Sequence, residues 1–448
     1  MLKYIVSTIV QDYSGRTPDM FRHIPGIKVD AAYKVEQSVY AGDATDSTTK
    51  IQRVVDESST GADFTASFWY KKGPPTTSAK TLFSIFTPGV GPSANQYIEI
   101  INDINYDGWL NVCGYSGNAA YSWQHRDVGA SILDYSAWYH FVYNVSGTTG
   151  TIYMNGSEIF TFNDYNPSFS PSIGDTIRVG CNDTAQLGNG YFSEFNFIDG
   201  LALGPEHFAA EKDDKWLPTK YTGEYGNNGF YLNFDNSDSI GNDSSPNGND
   251  FTTTGLTPDS IVADTPTNNY PVWNPNFTDF PGTTRTMSEG NLYTGGLQGG
   301  SSTNVHTKST LAIPNWGKWR FETQSSGNLF NSTIYLRSAA GSEVVALNDN
   351  NMRTPNEGVY GSPLTQGVVC SYAVDMDNGL FSWWANGGAR HNNISFDNSS
   401  LLYVMYGGWG SGGGTNNVRL NAGQRSYTYP DIISDEFVDL NSQNMENQ

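Results

Sequence analysis

Residues 373–388, AVDMDNGLFSWWANGG, read as two short strands punctuated by Asp377-Asn378-Gly379 and by Asn386-Gly387. Such turns need positive φ angles, which Gly reaches without a Cβ clash and which two-residue hairpins demand. The same form returns upstream in residues 151–162, TIYMNGSEIFTF, with Asn155-Gly156 at the turn. Both follow the order strand, aromatic, x, Asn-Gly, strand. Two such hairpins, one for each of two domains, commit the chain to antiparallel sheet.

Composition agrees. Gly counts 48, aromatics make up 14% and charged residues only 15%, a balance that suits many tight turns and pleated strands rather than helical bundles. The 448 residues are enough for two to four domains. The formal net charge of -21 argues against nucleic acid as a partner. Cys113, Cys181 and Cys370 are widely spaced, with no CxxC or Cys/His pair for zinc, and read as buried thiols of a chain folded in a reducing cytoplasm. The apolar run at the N-terminus is too short for a signal region or a membrane span, so membrane insertion is not expected.

Taken in order, residues 1–59 alternate strand-like runs with polar loops and are expected to form an N-terminal attachment segment. Strand signals then become regular: 64–70 (FTASFWY), 81–86, 97–101, 109–115, 137–145 (AWYHFVYNV), the 151–162 hairpin, 177–181 and 191–198. Short strands at this spacing predict a β-sandwich over 60–235. Residues 206–212, behind Pro205, read as one helical turn. Residues 236–286 are rich in Asn, Asp, Ser, Thr and Pro, and form either a linker or an extended segment packed across a domain. A second strand series fills 287–430, and 431–448 is a polar, acidic tail.

The stretches at 68–73, 137–143, 152–156 and 190–200 (GYFSEFNFIDG) together resemble a laminin-G-like, concanavalin-A-type jelly roll, in the version found in tailed-phage structural proteins. Residues 216–229 (WLPTKYTGEYGNNG) and 264–269 (DTPTNN) resemble the connector of those proteins. Residues 317–322 and 368–387 resemble a SPRY-type sandwich, and 420–429 (LNAGQRSYTY) the last strand of the same phage architecture. The fold class expected is therefore all-β, with two concanavalin-A-like jelly-roll domains in tandem. The resemblance implies a virion component made in the host cytoplasm and released by lysis. It would be a tail fibre or another receptor-facing protein that binds a host-surface glycan or protein. Other virion proteins would hold it through residues 1–59, and a homo-oligomer is expected.

Glucanases on this fold present carboxylates at alternate positions of one strand, so that both reach one cleft. The closest pair here, Glu99 and Asp103 in EIINDINYD, is spaced by four and ends in a turn. No Gly-x-Ser-x-Gly elbow, HExxH or P-loop occurs, so no catalysis is expected and no catalytic residue is named. The six histidines are scattered, and His140, within an alternating strand, reads as structural.

Binding needs exposed rings. Neighbouring strand residues point to opposite faces, so only one of Trp383 and Trp384 can enter a core. Trp69/Tyr70 and Trp138/Tyr139 obey the same rule. The outward ring of each pair would stack on a sugar or lie beneath a covering segment. Trp383, together with Tyr115, Tyr121 and Trp123 in the loop-like GYSGNAAYSWQHRD and Trp409 in GGWGSGGG, makes up the ligand-binding set. No cofactor is required. Calcium is the one ion the oxygen-rich turns would suit, at Asp103, Asn105 and Asp107 or at Asn182/Asp183, although turn formation alone accounts for those residues. A virion receptor-binding protein leads, with a capsid or tail decoration protein and a polysaccharide depolymerase as the alternatives.

Overall fold

In the computed structural model, the described residues are 33–42, 49–75, 80–88, 97–103, 109–115, 121–125, 131–165, 171–181, 188–277, 284–298, 304–326, 332–338, 341–348, 352–354, 358–360, 367–409 and 417–447. Both Asn-Gly turns take the conformation that their residues favour. Asn155 and Gly156 have φ of 48° and 80°, and Asn386 and Gly387 have 47° and 76°. Positive φ at both central positions is the hairpin turn whose twist matches that of the flanking strands.

The first sandwich pairs two sheets. One runs, in spatial order, Ser157–Phe162, Thr149–Met154, Trp138–Ser146, Phe64–Lys72, Gly190–Asp199, Ser38–Tyr40 and Ile261–Val262, with Phe230–Leu232 also paired to Gly190–Asp199. The other runs Thr252–Thr254, Lys50–Val54, Thr176–Val179, Lys80–Phe86, Tyr97–Asp103, Trp109–Tyr115 and Tyr121–His125. Phe68, Phe83, Phe141, Phe195 and Phe197 fill the space between the sheets, all without exposure. Phe68 and Phe195 stack with centroids 4.9 Å apart.

Phe64–Lys72 is buried at every position, so it lacks the half-polar alternation of a solvated sheet. Its outer face is covered. Phe208, Tyr221, Tyr225 and Tyr231 pack on Val142 and Ile198 there and form a third layer. Trp69 lies in the same position, 3% exposed and stacked 4.9 Å from His140. Tyr70, its neighbour, points into the core.

The second sandwich repeats the plan. One sheet orders Thr284–Ser288, Tyr293–Gln298, Asn417–Asn421, Lys318–Ser326, Val369–Asp375, Leu380–Ala385 and Gly388–Ser395, with Val438–Asp439 added in parallel to Lys318–Ser326. The other orders Asn304–Lys308, Leu402–Trp409, Ser332–Ser338, Glu343–Asn348, Met352–Thr354 and Gly358–Tyr360. Trp273, Trp319, Val374, Leu402, Val404 and Tyr406 form the centre of its core.

Several boundaries expected from sequence differ. Within residues 1–59, Ser38–Tyr40 and Lys50–Val54 are strands of the first sandwich rather than a separate attachment piece, because Val39 and Ile51 are core residues. Residues 206–212 are not a helix. A 3-10 turn at Pro205–His207 leads into an Ala209–Lys212 strand paired with Lys215–Pro218. Residues 431–448 are not a free tail, since Leu440 is fully buried and Ser442–Asn447 is helical.

Residues 236–277 are a covering segment and not a spacer. They donate Ile240, Phe251 and Ile261 to the first core and Tyr270 and Trp273 to the second. Between these anchors, Asp264 forms a fully buried ion pair with Lys71 at 2.6 Å, with 1% and 0% side-chain exposure.

Candidate functional site

The sequence-derived candidates fall in different places. Trp383 faces the second core at 3% exposure, because Leu380–Ala385 buries Phe381, Trp383 and Ala385 and turns the alternate residues outward. It is a core residue and is withdrawn as a ligand contact, while Trp384 is the half-buried outward member of the pair. Tyr115, Tyr121 and Trp123 do not lie on an open loop. Tyr115 ends one strand of an edge hairpin, while Tyr121 and Trp123 belong to the other, with Tyr115 opposite Tyr121 and Gly114 opposite Trp123. Trp409 ends the Leu402–Trp409 strand, opposite Asn304. Asp103 closes its strand opposite Trp109, whereas Asn105, Asp107, Asn182 and Asp183 lie outside the described residues. Among the described residues no cluster of three or more His, Cys, Asp or Glu side chains is placed to hold a metal.

A surface that sequence reasoning missed lies on the outer face of the second sandwich's smaller sheet. Leu402, Val404 and Tyr406 point into the core, so Tyr403 and Met405 point the other way. Ile334 and Leu336 similarly turn Tyr335 to the outer face, where it and Met405 are buried beneath Phe277 and Tyr403. Register brings these residues together, with Tyr335 opposite Met405 and Met405 opposite Lys308. Phe277, arriving from the covering segment, joins this outer cluster. Lys308 Nζ sits over two rings, 4.9 Å from the centroid of Phe277 and 4.4 Å from that of Tyr403, within cation–π range. Tyr335 Oη and His306 Nδ1 are 2.7 Å apart. Gly407 makes room for that pair, because a Cβ there would meet His306 Cδ2 at 2.8 Å. Tyr403, Phe277, Lys308 and His306 are half-buried and can each present an edge to a ligand. The face adjoins the first sandwich, for Asn276 Nδ2 donates to the Leu133 carbonyl at 3.0 Å. A sheet-face aromatic shows in sequence only as alternation, and YLR or LYVMY does not say which member faces out.

Two buried titratable groups stand apart from that face. His140 accepts from Trp216 Nε1 on Nδ1 at 3.0 Å, which leaves the Nε2 proton for Ser67 Oγ at 2.9 Å. Burial depresses its pKa to about 3, so the ring stays neutral and structural. Glu194 lies at a β-bulge with φ of 51° and receives Tyr231 Oη at 2.8 Å and Tyr33 Oη. Burial outweighs those hydrogen bonds and pushes its carboxyl up to about 7.

The laminin-G-type family described as the concanavalin A-like lectin/glucanases superfamily matches residues 43–207, the body of the first sandwich including its Lys50–Val54 strand. The chain is thus all-β with a concanavalin-A-like sandwich in its first half. Among solved structures it is similar to the SPRY domain of human HERC1, at 13% identity and TM-score 0.28, over 34% of this chain and 99% of that one. It is also similar to domains LG4-5 of the mouse laminin alpha1 chain, at 8% identity and TM-score 0.32, over 95% and 90%. A heptameric SAP-like pentraxin from Limulus polyphemus matches at 18% identity and TM-score 0.30, over 39% and 81%. No curated protein matches the chain.

Proposed function

We propose that this chain is a tailed-phage virion protein, a tail fibre or another receptor-facing component, that recognises a host-surface glycan or protein without catalysis. The observation that carries the recognition part is the outer-sheet cluster of half-buried Tyr403, Phe277, His306 and Lys308, packed over buried Tyr335. Aromatic rings beside hydrogen-bonding groups suit the apolar face and hydroxyl rim of a sugar. The family name includes lectins, which is consistent with this choice of ligand. The virion setting rests on the resemblance of the segments at 190–200, 216–229 and 420–429 to phage structural proteins. Several copies on one particle would turn weak contacts into firm attachment through effective concentration.

The test is a panel of host-surface polysaccharides and outer-surface proteins probed with the purified protein, with reducing-end release read in the same wells. Saturable binding without new reducing ends is expected, unchanged by a calcium chelator. Tyr403→Ala should weaken binding about tenfold, the loss of one stacking contact worth about 1.4 kcal/mol. New reducing ends would replace this reading with a depolymerase. Absence of binding, with antibody labelling of the phage head rather than the tail, would replace it with a decoration protein.

A further inference from the structure

We propose that Lys71 and Asn269 become joined by an intramolecular isopeptide bond, with Asp264 as the proton carrier. Lys71 belongs to the Phe64–Lys72 strand, and its side chain has no exposure. Its Nζ lies 2.6 Å from Asp264 Oδ2, 2.7 Å from Asn269 Oδ1 and 3.1 Å from the Tyr270 carbonyl. A plain ion pair needs only the first of these contacts. The second sets the buried Lys71 nitrogen against the oxygen of a side-chain amide, beside a buried carboxylate. Asp264 is held from its other side by Trp138 Nε1 at 3.0 Å and the Tyr270 N–H at 3.3 Å. Trp138 packs with Tyr40, Tyr191 and Val262, which keep the pair in an apolar setting. The Asn269 amide is fixed as well: Nδ2 donates to the Ser136 carbonyl at 2.6 Å, and its backbone N–H to Ser442 Oγ at 2.8 Å.

The chemistry balances without a co-reactant. In the proposed step one proton passes along the 2.6 Å contact from the Lys71 ammonium to the Asp264 carboxylate, with no change in net charge. The Lys71 nitrogen then attacks Asn269 Cγ, the Nζ–Cγ bond forms and the Cγ–Nδ2 bond breaks. The two protons lost by the Lys71 nitrogen, relayed by Asp264, leave with Nδ2 as ammonium. Asp264 ends as a carboxylate that accepts from Trp138, from Tyr270 and from the new amide N–H. Nothing is oxidised or reduced. Fixed juxtaposition of this kind substitutes for a catalyst by removing the entropy of encounter. Asn269 is half-buried, which gives the departing ammonium a way out. The bond would tie the first sandwich covalently to the covering segment, across 198 positions of sequence.

The experiment is an intact mass of the full-length chain after prolonged incubation at 37 °C, followed by a tryptic map. A mass lighter than the sequence by one ammonia, with a branched peptide containing Lys71 and Asn269, is expected. Lys71→Arg keeps a cation beside Asp264 but cannot form the amide, and should return to the full sequence mass, as should Asp264→Ala. The full mass in the wild-type chain overturns the proposal. So does an ammonia loss that maps elsewhere, for example to a succinimide at Asn155-Gly156, while the Lys71 and Asn269 peptides stay linear. Because the wild-type reading decides, a variant that fails to fold does not blunt the test.

Discussion

Burial drives His140 and Glu194 in opposite directions, and the pH dependence of stability follows from the two together. His140 is depressed to about 3, so the fold binds fewer protons than the unfolded chain below the ordinary histidine value of 6.5. Its stabilising contribution is present above pH 6.5 and is lost as pH falls toward 3. Glu194 is raised from 4.5 to about 7, so the fold holds an extra proton between those values. Its contribution is present below pH 4.5 and is lost as pH rises through 7, a total of up to about 3 kcal/mol. From about pH 4.5 to 6.5 the slopes oppose, and the wild-type protein should be nearly flat. Glu194→Gln should match the wild type near pH 4.5 and exceed it by up to about 3 kcal/mol at pH 8. It should also uncover a steady loss below pH 6.5 that belongs to His140. Urea denaturation midpoints from pH 4.5 to 8 check both signs, and a variant that tracks the wild type throughout would contradict this account. That His140 is structural follows from its place in an alternating strand. Glu194 was not legible, because nothing in GYFSEFNF marks a bulge with positive φ. The Trp383/Trp384 pair shows the limit again: alternation requires one ring in and one out, but only the partner strands decide which. Trp383→Ala should cost about 3–5 kcal/mol in thermal or urea unfolding while leaving ligand binding by the remaining folded protein unchanged.

At the scale of elements, the hairpins were the most legible parts, since Asn-Gly fixes turn conformation locally and the turn fixes register. The two turns differ in what surrounds them. A Cβ on Gly156 would meet Trp216 Cη2 at 2.8 Å, while one on Gly387 would meet Tyr429 at 3.1 Å. Both substitutions force an alanine into the left-handed region at about 1 kcal/mol. Gly156→Ala must in addition displace Trp216 and its hydrogen bond to His140, so a loss of about 2 kcal/mol is expected against about 1 for Gly387→Ala. Thermal unfolding of the two variants, with tryptophan fluorescence reporting the Trp216 environment, separates them. The short elements were harder to read. The 205–212 stretch has a proline suited to a helix start, yet Ala209 and Ala210 are drawn into pairing with Leu217 and Pro218. The Ser442–Asn447 helix has no apolar period to announce it. It is held by the Asn269 N–H on Ser442 and by buried Leu440, contacts made far away in sequence.

At the scale of the whole molecule, the polar stretch after residue 235 decides whether the two sandwiches are separable. Its composition resembles that of a linker, and its apolar residues are too far apart to show a period. In the fold Ile240, Phe251, Ile261, Tyr270 and Trp273 are anchors. Ile240 and Phe251 are 6% exposed in the first core, and Thr252–Thr254 and Ile261–Val262 extend both of its sheets. Tyr270 and Trp273 then enter the second core. Burying a side chain of this size is worth roughly 1.5–3 kcal/mol, so removing three of them takes away much of a domain's margin of 5–15 kcal/mol. A chain ending at residue 235 should therefore be poorly folded, with Phe230 and Phe195 uncovered. One ending at residue 277 should recover a cooperative transition for the first sandwich. The full chain should melt in a single calorimetric event, because the same segment contributes to both cores. Two well-separated transitions, or a stable sandwich from residues 1–235, would show that residues 236–277 decorate the domains rather than complete them.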